Sequence, residues 1–254
     1  LLESGINIHE KDNYGCNALH FICNYNPSIE CISLLLENGT SESMSHGINI
    51  HEKDNEGWNA LHFICRFNPS IEYISLLLES GINIHEKDNY GCNALHFICF
   101  CYPQATAGPH GSIECIKLLI EKGINIHEKD NDGCNALYYI CCYNQSIECI
   151  SLLLENGINI HEKNNKSRNA LHYICNYNPS IECISLLLEN GINIYEKDND
   201  GWNAFDLIKK DEDKEKYKNL IKEIRKKMLD VIYNKTKLIN DICLIITDYI
   251  LYQK

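Results

Sequence analysis

The sequence lacks the motifs by which several classes of enzyme, metal site and membrane protein are recognised. It contains no Walker phosphate loop, no Gly-x-Gly-x-x-Gly and no Gly-x-Ser-x-Gly, which disfavours nucleotide-binding and serine-hydrolase classes. No apolar run approaches the ~18 residues that a membrane-spanning helix needs. The 15 cysteines never stand as Cys-x-x-Cys, so the usual spacing of zinc and thioredoxin-like sites is missing. We therefore expect a non-enzymatic protein with no cofactor, no metal and no membrane partner.

Basic residues are scarce over most of the chain, whose net charge is −12. Residues 1–208 hold 11 Lys and Arg against 27 Asp and Glu, giving −16, whereas residues 209–254 hold 12 against 8, giving +4. Because an acidic surface repels a phosphate backbone, we expect no nucleic acid along residues 1–208.

One segment of the sequence recurs six times. Its opening, Gly-Ile-Asn-Ile, begins at Gly5, Gly47, Gly81, Gly123, Gly157 and Gly191. Three of the five spacings are 34 residues, and the other two are 42 because those copies carry 8 extra residues. A fixed period of this length indicates stacked structural repeats. Such units bury their apolar faces only against their neighbours.

Each unit predicts a turn followed by two short helices. In the first unit, residues 12–15 have turn chemistry, and Asn17 is suited to cap a first helix over Ala18–Cys23. Pro27 then breaks the chain, and Ser28 is suited to cap the second helix. The apolar residues of that helix share one face and predict the core; they are Ile29, Ile32, Leu35 and Leu36.

These residues resemble the ankyrin-repeat family. Asn17-Ala18-Leu19-His20 stands where the family has Thr-Pro-Leu-His, and Leu34-Leu35-Leu36 with Gly39 matches its helix end. The resemblance covers residues 1 to about 208 and implies a mainly helical (α) solenoid of helix pairs joined by β-hairpin loops. We expect about five full units with partial units at both ends. We expect residues 209–254 to form a C-terminal helical segment that caps the array or docks a partner.

Two columns of histidine recur with the unit. The first column lies in the loops, and Tyr195 takes its sixth place; its members are His9, His51, His85, His127 and His161. Its side chains could bind metal or sense pH. The resemblance also implies possible modification by the family's asparaginyl hydroxylase. A shared metal is disfavoured, because the resemblance places successive copies ~10 Å apart. The second column, in the Thr-Pro-Leu-His-like position, is expected to tie each helix to the next loop; its members are His20, His62, His96 and His172.

The residues that vary between units lie at the loop tips and at the ends of the first helices. We predict that they contact a protein partner, since exposed Trp, Tyr and Arg dominate interface energy; neutral drift is the alternative. The candidates are Tyr14, Glu56, Trp58, Arg66, Tyr90, Phe100, Asp132, Lys166, Arg168, Asp200 and Trp202.

Three functional hypotheses follow. The first is a protein-interaction module that binds its partner on the concave face of the solenoid. The second is a substrate receptor of a cullin-type ubiquitin ligase, because residues 238–250 resemble an F-box or the C-terminal motif of poxvirus ankyrin proteins. The matching residues are Leu238, Asp241, Ile242, Ile246, Tyr249 and Ile250, with Ile239 where proline is expected. The third is a structural spacer.

The composition predicts the cellular compartment and the kind of source of the protein. Most cysteines recur with the unit, so we expect free core thiols in a reducing compartment and a cytoplasmic monomer. The near-identical units, rich in Ile, Asn, Lys and Tyr, resemble the ankyrin arrays of large DNA viruses of protists, which implies host cytoplasm. Since residues 1–4 match the end of a second helix, we expect a fragment of a longer array.

Overall fold

The protein is a stack of helix pairs joined by six loops. The computed structural model describes residues 7–37, 47–100, 109–177, 180–209, 215–220, 222–223 and 226. The loops, numbered 1 to 6, are residues 7–17, 47–59, 81–93, 123–135, 157–169 and 191–203. The predicted mainly helical solenoid is confirmed.

Each full unit within the described ranges contains a first and a second helix. The first helices are α1 (Ala18–Tyr25), α3 (Ala60–Phe67), α5 (Ala94–Cys99), α7 (Ala136–Tyr139) and α9 (Ala170–Tyr177). The second helices are α2 (Ile29–Glu37), α4 (Ile71–Glu79), α6 (Pro109–Glu121), α8 (Ile147–Glu155) and α10 (Ile181–Glu189). The sixth loop leads into a 3₁₀ turn, Ala204–Leu207.

The first helices begin at the predicted asparagine. In α1 the Asn17 side chain accepts hydrogen bonds from the backbone N–H groups of Leu19 and His20. His20 Nδ1 accepts the Asn17 N–H at 3.1 Å, and its Nε2 lies 3.1 Å from the Glu52 carbonyl oxygen in the next loop. The imidazole therefore joins one unit to the next, as the resemblance implied.

The core is a ribbon formed by the facing sides of the helix pairs. Leu19 and Cys23 of α1 and Ile32 of α2 are almost fully buried, and the same positions are buried in the later units. Complete burial of such an aliphatic side chain stabilises the fold by roughly 1.5–3 kcal/mol. The buried residues form one continuous cluster along the stack, so stability depends on stacking of the units.

The loops are closed turns, and this corrects the β-hairpin expectation. Asp12 N–H bonds the Cys16 carbonyl at 2.9 Å, and Gly15, at φ +80°, closes the turn back onto Asp12. Among the described residues the only bridge of β type is an isolated antiparallel pair, Lys197 with Asn203. A strand ladder does not develop, because the Glu10 N–H turns back to the Asn7 carbonyl and the Asn17 N–H bonds His20 Nδ1.

An asparagine ladder runs along the loop tips. Asn55 donates its backbone N–H to the Tyr14 carbonyl at 2.9 Å and its side-chain amide to the Asn13 carbonyl at 3.0 Å. The same two bonds recur at each later loop, made by Asn89, Asn131, Asn165 and Asn199. The ladder holds successive tips in register, so side chains displayed there have fixed spacing.

A ladder of ion pairs runs parallel to it. Lysine of one loop pairs with glutamate of the next; the pairs are Lys11–Glu52, Lys53–Glu86, Lys87–Glu128, Lys129–Glu162 and Lys163–Glu196. Since these side chains are about one-third exposed, each pair stabilises the stack by roughly 0.2–1 kcal/mol.

Loop 5 keeps its turn although serine replaces glycine. Ser167 adopts φ +59° and bonds the Asn164 carbonyl at 2.9 Å, as the glycines do. In loop 3, a Cβ added at Gly91 would meet the Asn131 side-chain oxygen at 2.6 Å. The Ser167 hydroxyl instead donates to Asn199 Oδ1 at 2.7 Å. Ser167 thus adopts a left-handed backbone that strains a residue with a side chain, and the turn keeps its shape.

The fourth unit departs most from the others. Gln145 replaces the proline that follows the other first helices. Without that break, α7 continues as a π-helical turn, Ile140–Asn144, and Gln145 closes it at φ +50°. Tyr138 stands in the tying-histidine position, and its own N–H bonds the Asn135 side chain at 3.2 Å.

The described part of the C-terminal segment packs on the last unit. Residues 215–220 are helical, and Tyr217 is 2% exposed with its ring 6.4 Å from that of Phe205. The boundary after residue 208 stays a prediction, and residues 238–250 lie outside the described residues. None of the helices described is both long and apolar enough to cross a membrane.

Candidate partner-binding grooves

Two adjoining grooves lie between the loop tips and the first helices. The first groove, of about 370 Å³, lies beside loops 1 and 2; its lining includes Tyr14, Phe21, Tyr25, Asp54, Glu56, Trp58 and Phe67. The second groove, of about 510 Å³, lies beside loops 2 to 4; its lining includes Trp58, Arg66, Asp88, Tyr90, Phe97, Phe100, Asp130, Asp132 and Tyr139. Both lie on the surface that the sequence predicted for a partner.

Trp58 forms the wall between the two grooves. Its ring centroid lies 4.5 Å from that of Phe97 and 5.3 Å from that of Phe63, both in edge contact. The indole N–H is buried and makes no hydrogen bond of ordinary geometry, although it lies close enough to Asp88 to oppose the rise in that carboxyl's pKa. Trp58 is therefore a packing residue as well as a groove residue.

The ends of α3 and α5 are joined by two of the predicted site residues, Arg66 and Phe100. The Arg66 guanidinium lies 3.8 Å from the centroid of the Phe100 ring and donates to the Phe100 carbonyl at 2.8 Å. Phe100 in turn contacts Tyr143, with ring centroids 4.1 Å apart. The stacked guanidinium closes one end of the second groove.

Tyr90 and Glu56 meet at the rim of the second groove. The Tyr90 hydroxyl donates to Glu56 Oε2 at 2.9 Å, and the hydrogen bond raises the pKa of Tyr90 above its ordinary value. The Tyr90 side chain is 60% exposed. Its ring and hydroxyl are thus presented to solvent from a loop fixed by the asparagine ladder.

Asp88 and Asp130 were not among the predicted site residues, yet they line the second groove. Asp88 Oδ1 accepts the backbone N–H groups of Tyr90 and Cys92 at 2.9 and 2.7 Å. Burial raises the pKa of Asp88 above its usual value. Asp130 accepts the Tyr139 hydroxyl at 2.6 Å. The recurring Asp in each loop was the available sequence signal, but it is also explained by turn formation.

The remaining predicted residues lie further along the stack. Arg168 Nε pairs with Asp198 Oδ2 at 2.9 Å, and Arg168 Nη2 lies 3.8 Å from Asp200 Oδ2. Lys166 is exposed, and Trp202 is 52% exposed. The four predicted residues among these lie outside both grooves; they are Lys166, Arg168, Asp200 and Trp202. The structure therefore brings together Tyr14, Glu56, Trp58, Arg66, Tyr90, Phe100 and Asp132.

The pKa values of the buried histidines and cysteines are suited to a structural role. Burial lowers the pKa of His62 and of His96 to about 4, so both imidazoles are neutral at pH 7. Burial raises the pKa of Cys23 to about 12, which makes its thiol a poor nucleophile. Among the described residues, no three metal-ligating side chains come close enough to hold an ion.

Two protein-family models match the chain, and both describe ankyrin repeats. A model of ankyrin repeats in three copies matches residues 1–88, 41–105 and 102–164, and a second ankyrin-repeat model, of many copies, matches residues 153–208. No curated protein sequence matches the chain.

Solved structures agree in fold. The ankyrin repeat domain of human ASB11 aligns at a TM-score of 0.65 with 23% identity, covering 83% of this chain and 85% of that one. The ankyrin repeat domain of Bcl-3, described as a unique member of the IkappaB family, aligns at 0.60 with 20% identity over 82% and 85%. With its recurring helix pairs, its capping asparagines and these matches, the chain belongs to the ankyrin-repeat family.

Proposed function

We propose that this chain is a non-enzymatic protein-interaction module that binds a protein partner in the two grooves on its concave face. The observation that carries the proposal is the continuous aromatic surface formed by the two grooves around their shared wall, Trp58. Exposed Tyr14 and Tyr90, at 75% and 60%, flank that wall. Tyrosine and tryptophan supply large contact area at a low cost in conformational entropy.

The rigidity of the loop tips supports the same proposal. Each tip is held by its internal turn and by two hydrogen bonds to the adjacent tip, such as those of Asn89 to Glu56 and Asn55. Side chains on a preorganised backbone lose less freedom when a partner binds. A spacer has no need of aromatic side chains exposed at these tips.

We propose further that the chain acts as a monomer in a reducing, cytoplasmic compartment. The 13 described cysteines are free thiols, and most of them are buried core residues. The viral setting and the ubiquitin-ligase hypothesis remain predictions, and the second depends on residues 238–250.

Affinity capture from extracts of the source cells tests the function. The full chain is compared with a Tyr14→Ala, Tyr90→Ala double variant and with Tyr195→Ala as the matched control. Tyr195 is an equally exposed loop tyrosine, 66% exposed, outside both grooves. We expect the double variant to lose at least about tenfold of the captured partner, which corresponds to about 1.4 kcal/mol, and the control to retain it. Equal capture by all three proteins would contradict binding in the grooves, and no specific capture by the full chain would support the spacer.

A further inference from the structure

Loop 5 places a cation of the chain itself beside the loop aspartate of the next unit. Arg168 Nε lies 2.9 Å from Asp198 Oδ2, and the Asp198 side chain is only 1% exposed. Burial acts to raise the pKa of Asp198, but hydrogen bonds from the Trp202 N–H and from Arg168 hold that pKa below its ordinary value. The charge of the buried Asp198 carboxylate is thus balanced by Arg168 of the preceding unit.

Beside the second groove, the loop aspartates are present, but the position equivalent to Arg168 does not hold a cation. In the same register, Trp58 faces Asp88 and Cys92 lies close to Asp130. No lysine or arginine of the described residues forms a salt bridge with either aspartate. Burial raises the pKa of Asp88, the opposite of the outcome at Asp198. Both carboxyl groups line an open volume of about 510 Å³.

The charge and the walls of the second groove favour a cation. Its charged lining residues are Asp88, Asp130 and Asp132 with a single arginine, which gives a formal net charge of −2 when His96 is neutral. That arginine, Arg66, is already stacked on Phe100.

Aromatic rings complete the site. Its walls are the rings of Trp58, Phe97, Phe100 and Tyr139. Aromatic faces attract ammonium and guanidinium groups.

We propose that the second groove takes a lysine or arginine side chain of the protein partner, with its cation beside Asp88 and Asp130 as Arg168 lies beside Asp198. This inference rests on the proposed function and names the chemistry that the groove recognises. The occupant is a cationic side chain on a partner's surface or flexible segment. The chain's own C-terminal residues, net charge +4, and a second copy of the chain are rival occupants that the test separates.

The chain provides a conservative substitution for the test. Asn164 replaces the aspartate in loop 5 and still accepts the N–H groups of Lys166 and Arg168 at 3.0 Å. It also contacts the Tyr173 hydroxyl at 2.8 Å, as Asp130 contacts that of Tyr139. Asp→Asn at this position therefore removes charge and keeps the turn.

Fluorescence of Trp58 reports on the groove directly. The chain has 2 tryptophans, so Trp202→Phe leaves Trp58 as the only one. Into this full-length protein we would titrate blocked pentapeptides of glycine with a central lysine, arginine or glutamine. We expect a saturable signal with the lysine and arginine peptides at about millimolar concentration, weakening with added salt, and none with the glutamine peptide.

Charge removal then tests the assignment. Asp88→Asn with Asp130→Asn should weaken binding of the cationic peptides by about tenfold or more. Asp198→Asn makes the same change in loop 6, outside both grooves, and should leave affinity unchanged. Thermal melts of all variants confirm that they are folded. The inference is overturned by no saturation up to about 10 mM peptide, or by equal binding to the doubly substituted protein.

Two further results would also overturn it in favour of another occupant. A salt-dependent Trp58 signal without peptide, abolished by the two substitutions and unaffected by added peptide, would indicate the chain's own basic C-terminal residues. A signal that changes with protein concentration alone would indicate a second copy.

The two proposals fail differently. If partner capture depends on Tyr14 and Tyr90 but cationic peptides do not bind, the function stands and the cation inference is wrong. If capture is independent of both tyrosines, the proposed function is wrong, whatever the peptides do.

Discussion

Acidification from pH 7 to pH 5 is expected to destabilise the array through two buried histidines. His62 and His96 are 1% and 2% exposed, and each accepts the N–H of its capping asparagine at Nδ1, at 3.1 Å. Desolvation disfavours the charged ring, so the pKa of each falls to about 4 in the folded protein, against 6.5 for an ordinary histidine.

The sign and the size of the effect follow from proton linkage. Between pH 6.5 and 4 the unfolded chain binds more protons at these sites than the folded chain does. The stability contributed by the neutral rings is complete above pH 6.5 and is lost as the pH falls towards 4. At pH 5 the loss is about 2 kcal/mol for each histidine, and the slope from pH 6 to 5 is about 1 kcal/mol per pH unit each.

Urea unfolding at pH 7, 6 and 5 measures this slope. The His62→Gln, His96→Gln double variant is less stable at every pH, because glutamine cannot keep both bonds of the ring. Its free energy of unfolding should nevertheless vary less with pH than that of the unmodified chain, by about 2 kcal/mol per pH unit. Remaining at or above pH 5 limits the effect of the glutamates of the ion-pair ladder, whose folded pKa values lie below 4.5. Identical slopes for the two proteins would refute the reasoning.

Four further outcomes are expected. Gly157→Ala should cost about 1–2 kcal/mol for its left-handed backbone alone, and Gly91→Ala should cost more, because its Cβ meets the adjacent loop at 2.6 Å; chemical denaturation compares them. Ser167→Ala should lower the melting temperature, since it removes the bond to the next loop and keeps the strained backbone, whereas an unchanged melt would contradict that role. Brief alkylation of the native protein should modify exposed Cys31 before the buried thiols among the described cysteines, as peptide mass mapping would show. If residues 238–250 dock a ligase adaptor, Ile246→Asp should abolish its co-purification; if they cap the array, the change should lower the melting temperature and leave capture per folded molecule unchanged.

The features that were predictable from sequence are those set by neighbouring residues. Asn17 caps α1, Pro27 separates α1 from α2, and Gly15 closes the turn, as expected from local chemistry. Apolar spacing likewise indicated Ile32 and Leu35 as buried residues, but Ile29, predicted for the core with them, is 43% exposed because it lies in the first turn of α2.

The features that were missed join residues about one unit apart. The bonds of Asn55 to Tyr14 and Asn13, and the pair of Arg168 with Asp198, depend on how two copies stack. A single unit contains no sign of them. Comparison of charges at a spacing of about 34 residues would have suggested the ion-pair ladder.

The candidate site was predictable in part for the same reason. Variation between units identified Tyr90 and Phe100, whereas Asp88 and Asp130 escaped notice because they hardly vary. Gln145 in place of proline was the available signal for the π-helical turn in the fourth unit.

Photo-crosslinking tests the central claim most directly. A benzophenone amino acid is placed at Tyr90, on the rim of the second groove, or at Tyr195 as control, and the captured complex is irradiated. The account predicts a covalent adduct with the partner from position 90 and little from position 195. Equal adducts from the two positions, or an adduct from position 195 alone, would contradict the claim that the grooves bind the partner.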